Sequence, residues 1–185
     1  LIRRSCYLEL GLYDNRYRQL PDLDFWIRLV KRYDIYVSEQ NFVNFRILDR
    51  RNASSPTYAN SLRTVNEHRL IFSSFFSDMD DDVFVAGFKD RFTFGSELSK
   101  YHLEIEKALL FFKSKGHLRK VYTSIGYDRL HYLLGRDEYQ SILKSDYSID
   151  DFWLHERSGT LPFYWAGRPR FGYSISGKLL SFLRR

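Results

Sequence analysis

Residues 20–29, LPDLDFWIRL, are the stretch of this 185-residue chain that most constrains its local structure. Apolar side chains recur at helical spacing after Pro21, and Asp22 and Asp24 lie where the first turn of a helix would be. Acidic groups in a first turn interact favourably with the helix dipole. The pattern therefore predicts a helix over residues 22–33.

The segments on either side of this helix have different patterns. Residues 3–10 are predicted to form a short helix that stops at Gly11, because a glycine just past the last apolar position suits a left-handed C-cap. Residues 35–37 and 42–47 are short runs rich in β-branched and aromatic side chains. Such runs predict two short strands.

Beyond Tyr58 the strand pattern disappears, and apolar spacing predicts a long helix that ends before the acidic residues 78–82. Residues 98–113 and 118–134 have the spacing of two amphipathic helices joined by a short turn. This is the pattern of an α-hairpin. Residues 138–143 are predicted to form one more helix.

The composition favours a folded chain with anionic partners. The formal charge of +6 and pI near 9.4 favour nucleic acid, lipid headgroups or phosphorylated substrates, and charge alone does not choose among the three. Cys6 is the only cysteine, so an internal disulfide is excluded, and the five scattered histidines predict no zinc site. No RNA- or DNA-binding signature is found, so nucleic acid is not an expected partner.

Three segments of the first third of the chain form a pattern when they are taken in order. They are residues 3–14 with their Gly-x-Tyr-Asp end, residues 20–29, and Phe45 and Arg46 followed by Asn52, Ala53 and Ser54. Together they resemble the closing part of the catalytic domain of family 2 glycosyltransferases, which have the GT-A fold. Residues 20–29 are similar to the family's helix start, in which an acidic pair precedes D-x-W-x-R.

The resemblance implies an α/β fold class: the end of a GT-A domain, with helices and two short strands, followed by a mostly α-helical region. It divides the chain into residues 1–75 as the end of the catalytic domain, residues 76–159 as a helical extension with the α-hairpin, and residues 160–185 as a basic amphipathic tail. The donor-binding half is expected upstream of Leu1, so this chain alone is expected to be inactive.

By position in the motif, the resemblance implies that Asp22 is the general base that deprotonates the acceptor hydroxyl. A sugar hydroxyl is a poor nucleophile until a base takes its proton as the new bond forms. Pro21 stands where the family commonly has an acid, so Asp24 is the alternative base.

The same resemblance implies that Trp26, Arg28, Arg46, Asn52 and Ser54 contribute to substrate binding. Trp26 at helical spacing is either a core side chain or a platform for a sugar ring. Arg28 lies four residues after Asp24 on the same helix face, which favours an ion pair between them. Arg46 is either a contact to the donor diphosphate or an exposed strand residue.

A divalent metal, Mn²⁺ or Mg²⁺, is expected in the complete enzyme, with its ligands mostly outside this chain. Residues 78–80 read Asp-Met-Asp and match the letters of the family's metal-binding D-x-D, but they follow the predicted base and no strand precedes them. A helix cap or a solvated loop is the favoured interpretation of these acids. In the third segment Ile47, Leu48 and Asp49 stand where the family often has a histidine.

The expected partners are a nucleotide-sugar donor and a glycan or lipid-linked acceptor, and a homodimer is a further expectation. No apolar run approaches the roughly 20 residues that span a bilayer. The basic tail, with Lys178, Arg184 and Arg185, is predicted either to rest on anionic headgroups or to pack on the α-hairpin. The expected location is the cytoplasm, at or near the inner face of the membrane.

The rival hypothesis is a non-enzymatic helical module that binds a protein or a membrane surface.

Overall fold

A computed structural model describes residues 1–44, 55, 57–95 and 97–159. Its secondary structure in those ranges is helical, with 3₁₀ turns at Lys89–Arg91 and Leu110–Lys113. The α-helices there are α1 (Arg4–Leu10), α2 (Pro21–Val30), α3 (Tyr58–Ser73), α4 (Asp81–Phe88), α5 (Lys100–Leu109), α6 (Arg119–Leu134), α7 (Asp137–Tyr147) and α8 (Asp151–Ser158).

The α/β fold class predicted from the sequence is wrong, because the described part of the chain is all-α and contains no strand. Residues 35–37 and 42–44 have irregular backbone, and residues 45–47 lie outside the described ranges. Tyr36 and Val43 are 92% and 81% exposed. A β-prone run becomes a strand only where a neighbouring strand supplies hydrogen bonds and packing. The described parts of the two runs, residues 35–37 and 42–44, do not pair with each other.

The helices that the sequence predicted around residues 3–10, 22–33 and 58–75 are confirmed as α1, α2 and α3, with ends that differ by a few residues. The predicted α-hairpin is confirmed by α5 and α6. The predicted helix at residues 138–143 is α7, which is longer at both ends. In the part that the structure describes, no helix is both long and apolar enough to cross a membrane.

Two helices were not predicted because they are short and their apolar pattern is sparse. α4 begins inside the acidic residues 78–82, and Asp81 and Asp82 lie in its first turn. α8 begins after Asp150, whose carboxylate accepts the peptide N–H of Trp153 at 2.8 Å. In both places an acidic group compensates the free N–H groups and the positive end of a helix dipole.

Helix α6 is the centre of the helical assembly, with α3, α5, α7 and α8 packed around it. Ile125 and Leu130 on α6 are almost completely buried. Gly126 lies where α6 approaches the end of α5 most closely: a methyl group there would come within 2.6 Å of the Phe112 ring and 3.1 Å of the Ala108 carbonyl oxygen. The close packing of α6 against the end of α5 therefore requires that residue 126 has no side chain.

An aromatic cluster joins the end of α3 to α4 and to the 3₁₀ turn after α5. The ring of Phe76 packs edge-to-face on Phe84 at 5.3 Å and on Phe111 at 5.4 Å between centroids. Such pairs stabilise a fold beyond the area they bury. Phe84 is fully buried.

Two of the buried charged side chains are glutamates that bind the backbone of a loop. Glu106 on α5 is fully buried, and its carboxylate accepts the peptide N–H groups of Thr93 and Phe94 at 2.9 and 2.8 Å. Glu67 on α3, 6% exposed, does the same for a loop before α2. Hydrogen bonds from peptide groups compensate a buried carboxylate for lost hydration.

We expect Gly126→Ala to lower the free energy of unfolding by about 1–2 kcal/mol, because overpacking against Ala108 and Phe112 outweighs the gain of about 1 kcal/mol in helix propensity. Gly87→Ala is the matched control. Gly87 is also helical, but an added methyl group meets nothing within 4 Å, so this variant should gain up to about 1 kcal/mol. Urea denaturation measures both, and equal shifts would contradict the close approach at Gly126.

Candidate functional site

The candidate site is α2, which carries four of the residues predicted for the site. Leu20 precedes the helix and Pro21 occupies its first turn, where a missing peptide N–H costs nothing. Asp22 and Asp24 follow in the same turn, and Trp26 and Arg28 lie one turn later. The predicted residues Arg46, Asn52 and Ser54 lie outside the described residues.

The start of α2 is held in place by Glu67 of α3. Its two carboxylate oxygens accept the peptide N–H groups of Arg18 at 2.9 Å, Gln19 at 2.8 Å and Leu20 at 2.8 Å. Because Leu20 is the residue at which the chain enters α2, this carboxylate sets the position of the first turn. The sequence prediction did not include Glu67, although it lies on the same face of α3 as the buried Ile71, one turn earlier.

Asp24 forms an ion pair with Arg28, as the spacing of four residues predicted. Arg28 donates to one carboxylate oxygen of Asp24, Oδ2, from Nε at 3.0 Å and from Nη2 at 2.8 Å. The same guanidinium group donates to the carbonyl oxygens of Leu10 and Leu12. The pair therefore ties the end of α1 to α2, and both side chains serve the local fold.

Asp22 differs from Asp24 because its carboxylate makes no ion pair with any described residue. It lies on the exposed side of α2 and accepts the peptide N–H of Leu23 at 2.9 Å. Trp26, four residues later on the same side of the helix, is 43% exposed. An exposed carboxylate and an accessible indole ring thus lie on one face of α2, one turn apart.

The loop before α2 contributes a second set of charges. Arg16 forms a bidentate ion pair with Asp14, and its hydrogen bonds lower the pKa of that carboxyl group. Burial, together with the negative charge of Asp24, raises the pKa of Tyr17. The charge of Asp24 therefore acts on this loop as well as on Arg28.

The described residues bring together no group of three side chains that could hold a metal ion. Asp80 of the Asp-Met-Asp sequence directly precedes α4. Asp81, the next residue, accepts from the Lys107 ammonium group at 3.0 Å. The acidic cluster thus lies at the start of a helix, remote in the chain from α2.

Comparison with protein-family models, with curated proteins and with solved structures finds no match to this chain. The resemblance to family 2 glycosyltransferases accordingly stands on the three sequence segments alone, and the function it implies stays a prediction.

Substitution of the two carboxylates should separate their roles in stability. We expect Asp24→Asn to lower the free energy of unfolding by about 1–2 kcal/mol, because it leaves the partly buried Arg28 without its counter-charge. Asp22→Asn removes an exposed carboxylate that makes no ion pair with a described residue, so a change of no more than about 0.5 kcal/mol is expected. Chemical denaturation of both variants provides the test. Equal losses would contradict the assignment of Asp24 to a structural role.

Proposed function

We propose that this chain is part of an inverting, nucleotide-sugar-dependent glycosyltransferase in which Asp22 is the general base. The observation that supports the proposal best is the contrast between the two acids of α2. Asp24 is occupied by Arg28, whereas Asp22 is exposed and makes no ion pair with a described residue. Of the two candidate bases, Asp22 is the more exposed, and Asp24 is the one that an arginine holds.

In the proposed reaction, the oxygen of an acceptor hydroxyl attacks the anomeric carbon of the donor from the side opposite the leaving nucleotide. Asp22 takes the hydroxyl proton as the new carbon–oxygen bond forms and the bond to the nucleotide breaks. Asp22 lies in the first turn of α2, at the positive end of the helix dipole.

Trp26 is the proposed platform for the acceptor sugar. Its indole ring is accessible, and it lies one helical turn from Asp22, so a sugar lying on the ring could direct a hydroxyl group to the carboxylate. Arg28 has a different role, because its guanidinium group is already bonded to Asp24 and to two backbone carbonyl groups. We assign Arg28 to holding α2 in place.

The remaining parts of the proposal come from the sequence resemblance. The substrates are a nucleotide-sugar donor and a glycan or lipid-linked acceptor, and Arg46, Asn52 and Ser54 contribute to binding them. The proposed location is the cytoplasm or the inner membrane face. A homodimer is a further proposal. A divalent metal, Mn²⁺ or Mg²⁺, with its ligands mostly outside this chain, is part of the same proposal.

A non-enzymatic helical interaction module is the second candidate function. The all-α architecture of the described residues favours it, because α3 to α8 form a helical assembly without a sheet. In such a module the two acids of α2 would serve only to stabilise its first turn. The two hypotheses differ in whether Asp22 matters for turnover of a nucleotide sugar.

Asp22→Asn should reduce kcat for nucleotide release by about 10²-fold or more, because it removes the base without removing a structural contact. The measurement uses the complete polypeptide with UDP-, GDP- and dTDP-sugars, Mg²⁺ or Mn²⁺, and a pool of glycan and lipid acceptors. Asp24→Asn is the control, and it should retain most of the kcat per folded molecule.

Trp26→Ala should raise the KM for the acceptor more than it lowers kcat, and Trp26→Phe should raise the KM less than Trp26→Ala does.

If Asp22→Asn is as active as the wild-type protein, Asp22 is not the base. If no donor sugar is consumed or bound, the helical interaction module becomes the better account.

A further inference from the structure

A cavity of about 210 Å³ opens beside the aromatic cluster, far along the chain from α2. We call it the aromatic cavity. Phe72, Phe75 and Phe88 are only partly buried, so their rings remain accessible at its edge. Its apolar lining consists of Phe72, Phe75, Phe76, Phe88, Phe111 and Tyr122, together with Leu110.

The turn between α5 and α6 borders this cavity and carries positive charge. We call residues 113–119 the basic turn. An adjoining depression of about 590 Å³ is lined by Lys113, Lys115 and Arg119, and it shares Lys113 and Ser114 with the aromatic cavity. A fourth cation, Arg91, lines the cavity itself.

These four cations have no acidic partner in the described structure. Arg91, Lys113, Lys115 and Arg119 are exposed, and none of them forms an ion pair with a described residue. No carboxylate lines either the cavity or the depression. Seven other ion pairs join described residues elsewhere, so the basic turn is a local excess of positive charge beside an apolar cavity.

The start of α6 adds to this excess. The helix has no side-chain cap at Leu118 and no acid in its first turn, where Arg119 and Lys120 lie instead. Basic side chains at the positive end of a helix dipole are unfavourable. A bound anion would compensate the cations and the dipole together.

We propose that the aromatic cavity and the basic turn together bind a lipid phosphate, with the end of one apolar chain in the cavity and the phosphate group on Lys113, Lys115 and Arg119. The size fits a narrow ligand, since a cavity of about 150 Å³ accommodates a benzene molecule. Most of the lining is apolar, and its charged members, Arg91 and Lys113, are both cations. The hydroxyl of Ser114 already donates to the carbonyl of Phe111. The lining therefore suits a ligand with an apolar chain and an anionic group better than an uncharged polar one. This inference does not depend on the function of Asp22.

Hexyl phosphate, inorganic phosphate and hexanol are the three probes that separate the contributions of chain and charge. Isothermal titration of the wild-type protein should show that hexyl phosphate binds at least about tenfold more tightly than either of the others, because only this probe uses both parts of the site. Nuclear Overhauser effects from its methylene protons to the rings of Phe75 and Tyr122 should locate the chain.

The double variant Lys115→Ala/Arg119→Ala should weaken hexyl phosphate binding by about tenfold or more and leave hexanol binding unchanged. The double variant Lys100→Ala/Lys144→Ala is the matched control, because it removes two exposed cations from α5 and α7 and should bind like the wild-type protein. Circular dichroism verifies that both variants are folded.

Phosphatidylcholine vesicles with and without phosphatidic acid test the lipid as the source of the phosphate. Binding that requires phosphatidic acid and falls in the Lys115→Ala/Arg119→Ala variant, but not in the control variant, would support the proposal. The proposal is overturned if hexyl phosphate binds no better than inorganic phosphate, or if both double variants lose binding equally. It is also overturned if the Overhauser effects to the rings are absent, or if vesicles bind equally well with and without phosphatidic acid.

Discussion

The buried carboxylate of Glu67 is the interaction on which the candidate site depends. It accepts three consecutive peptide N–H groups, those of Arg18, Gln19 and Leu20, from a loop 47 to 49 residues away in the chain. A buried carboxylate needs such donors, and peptide groups at the entry to a helix need an acceptor, so each satisfies the other. Because α2 begins directly after Leu20, the same three bonds determine where Asp22 lies relative to α3.

Glu106 repeats this arrangement in the second half of the molecule. Its carboxylate accepts the peptide N–H groups of Thr93 and Phe94 and so holds the segment before α5 against that helix. The buried hydroxyl of Tyr147 lies near this carboxylate. Burial raises the pKa of Tyr147 most, and the negative charge of Glu106 raises it further. In each case a buried glutamate on a helix holds an irregular segment by hydrogen bonds. These bonds let short helices pack in a fixed order without a sheet.

Helical spacing was sufficient to predict most of the helices and the Asp24–Arg28 pair, because these depend on contacts three or four residues apart. It was insufficient for the fold class, since residues 35–37 and 42–44 have β-prone side chains but no strand partner in the described structure. The anchoring by Glu67 depends on contacts across the fold, and its only sequence signal is an acid on the buried face of α3. The spacing of Trp26 allowed either a core side chain or a platform for a sugar ring, and its exposure of 43% shows that it is not a core residue among the described ones.

A double-mutant cycle between Glu67 and Asp22 tests most directly the claim that one carboxylate positions the other for catalysis. The kcat for nucleotide release would be measured per folded molecule of the complete polypeptide, for wild type, Glu67→Gln, Asp22→Asn and the double variant. The account predicts that Glu67→Gln lowers kcat by about tenfold or more in the wild-type background and has almost no further effect once Asp22 is replaced. Equal effects of Glu67→Gln in both backgrounds, or no effect in either, would contradict it.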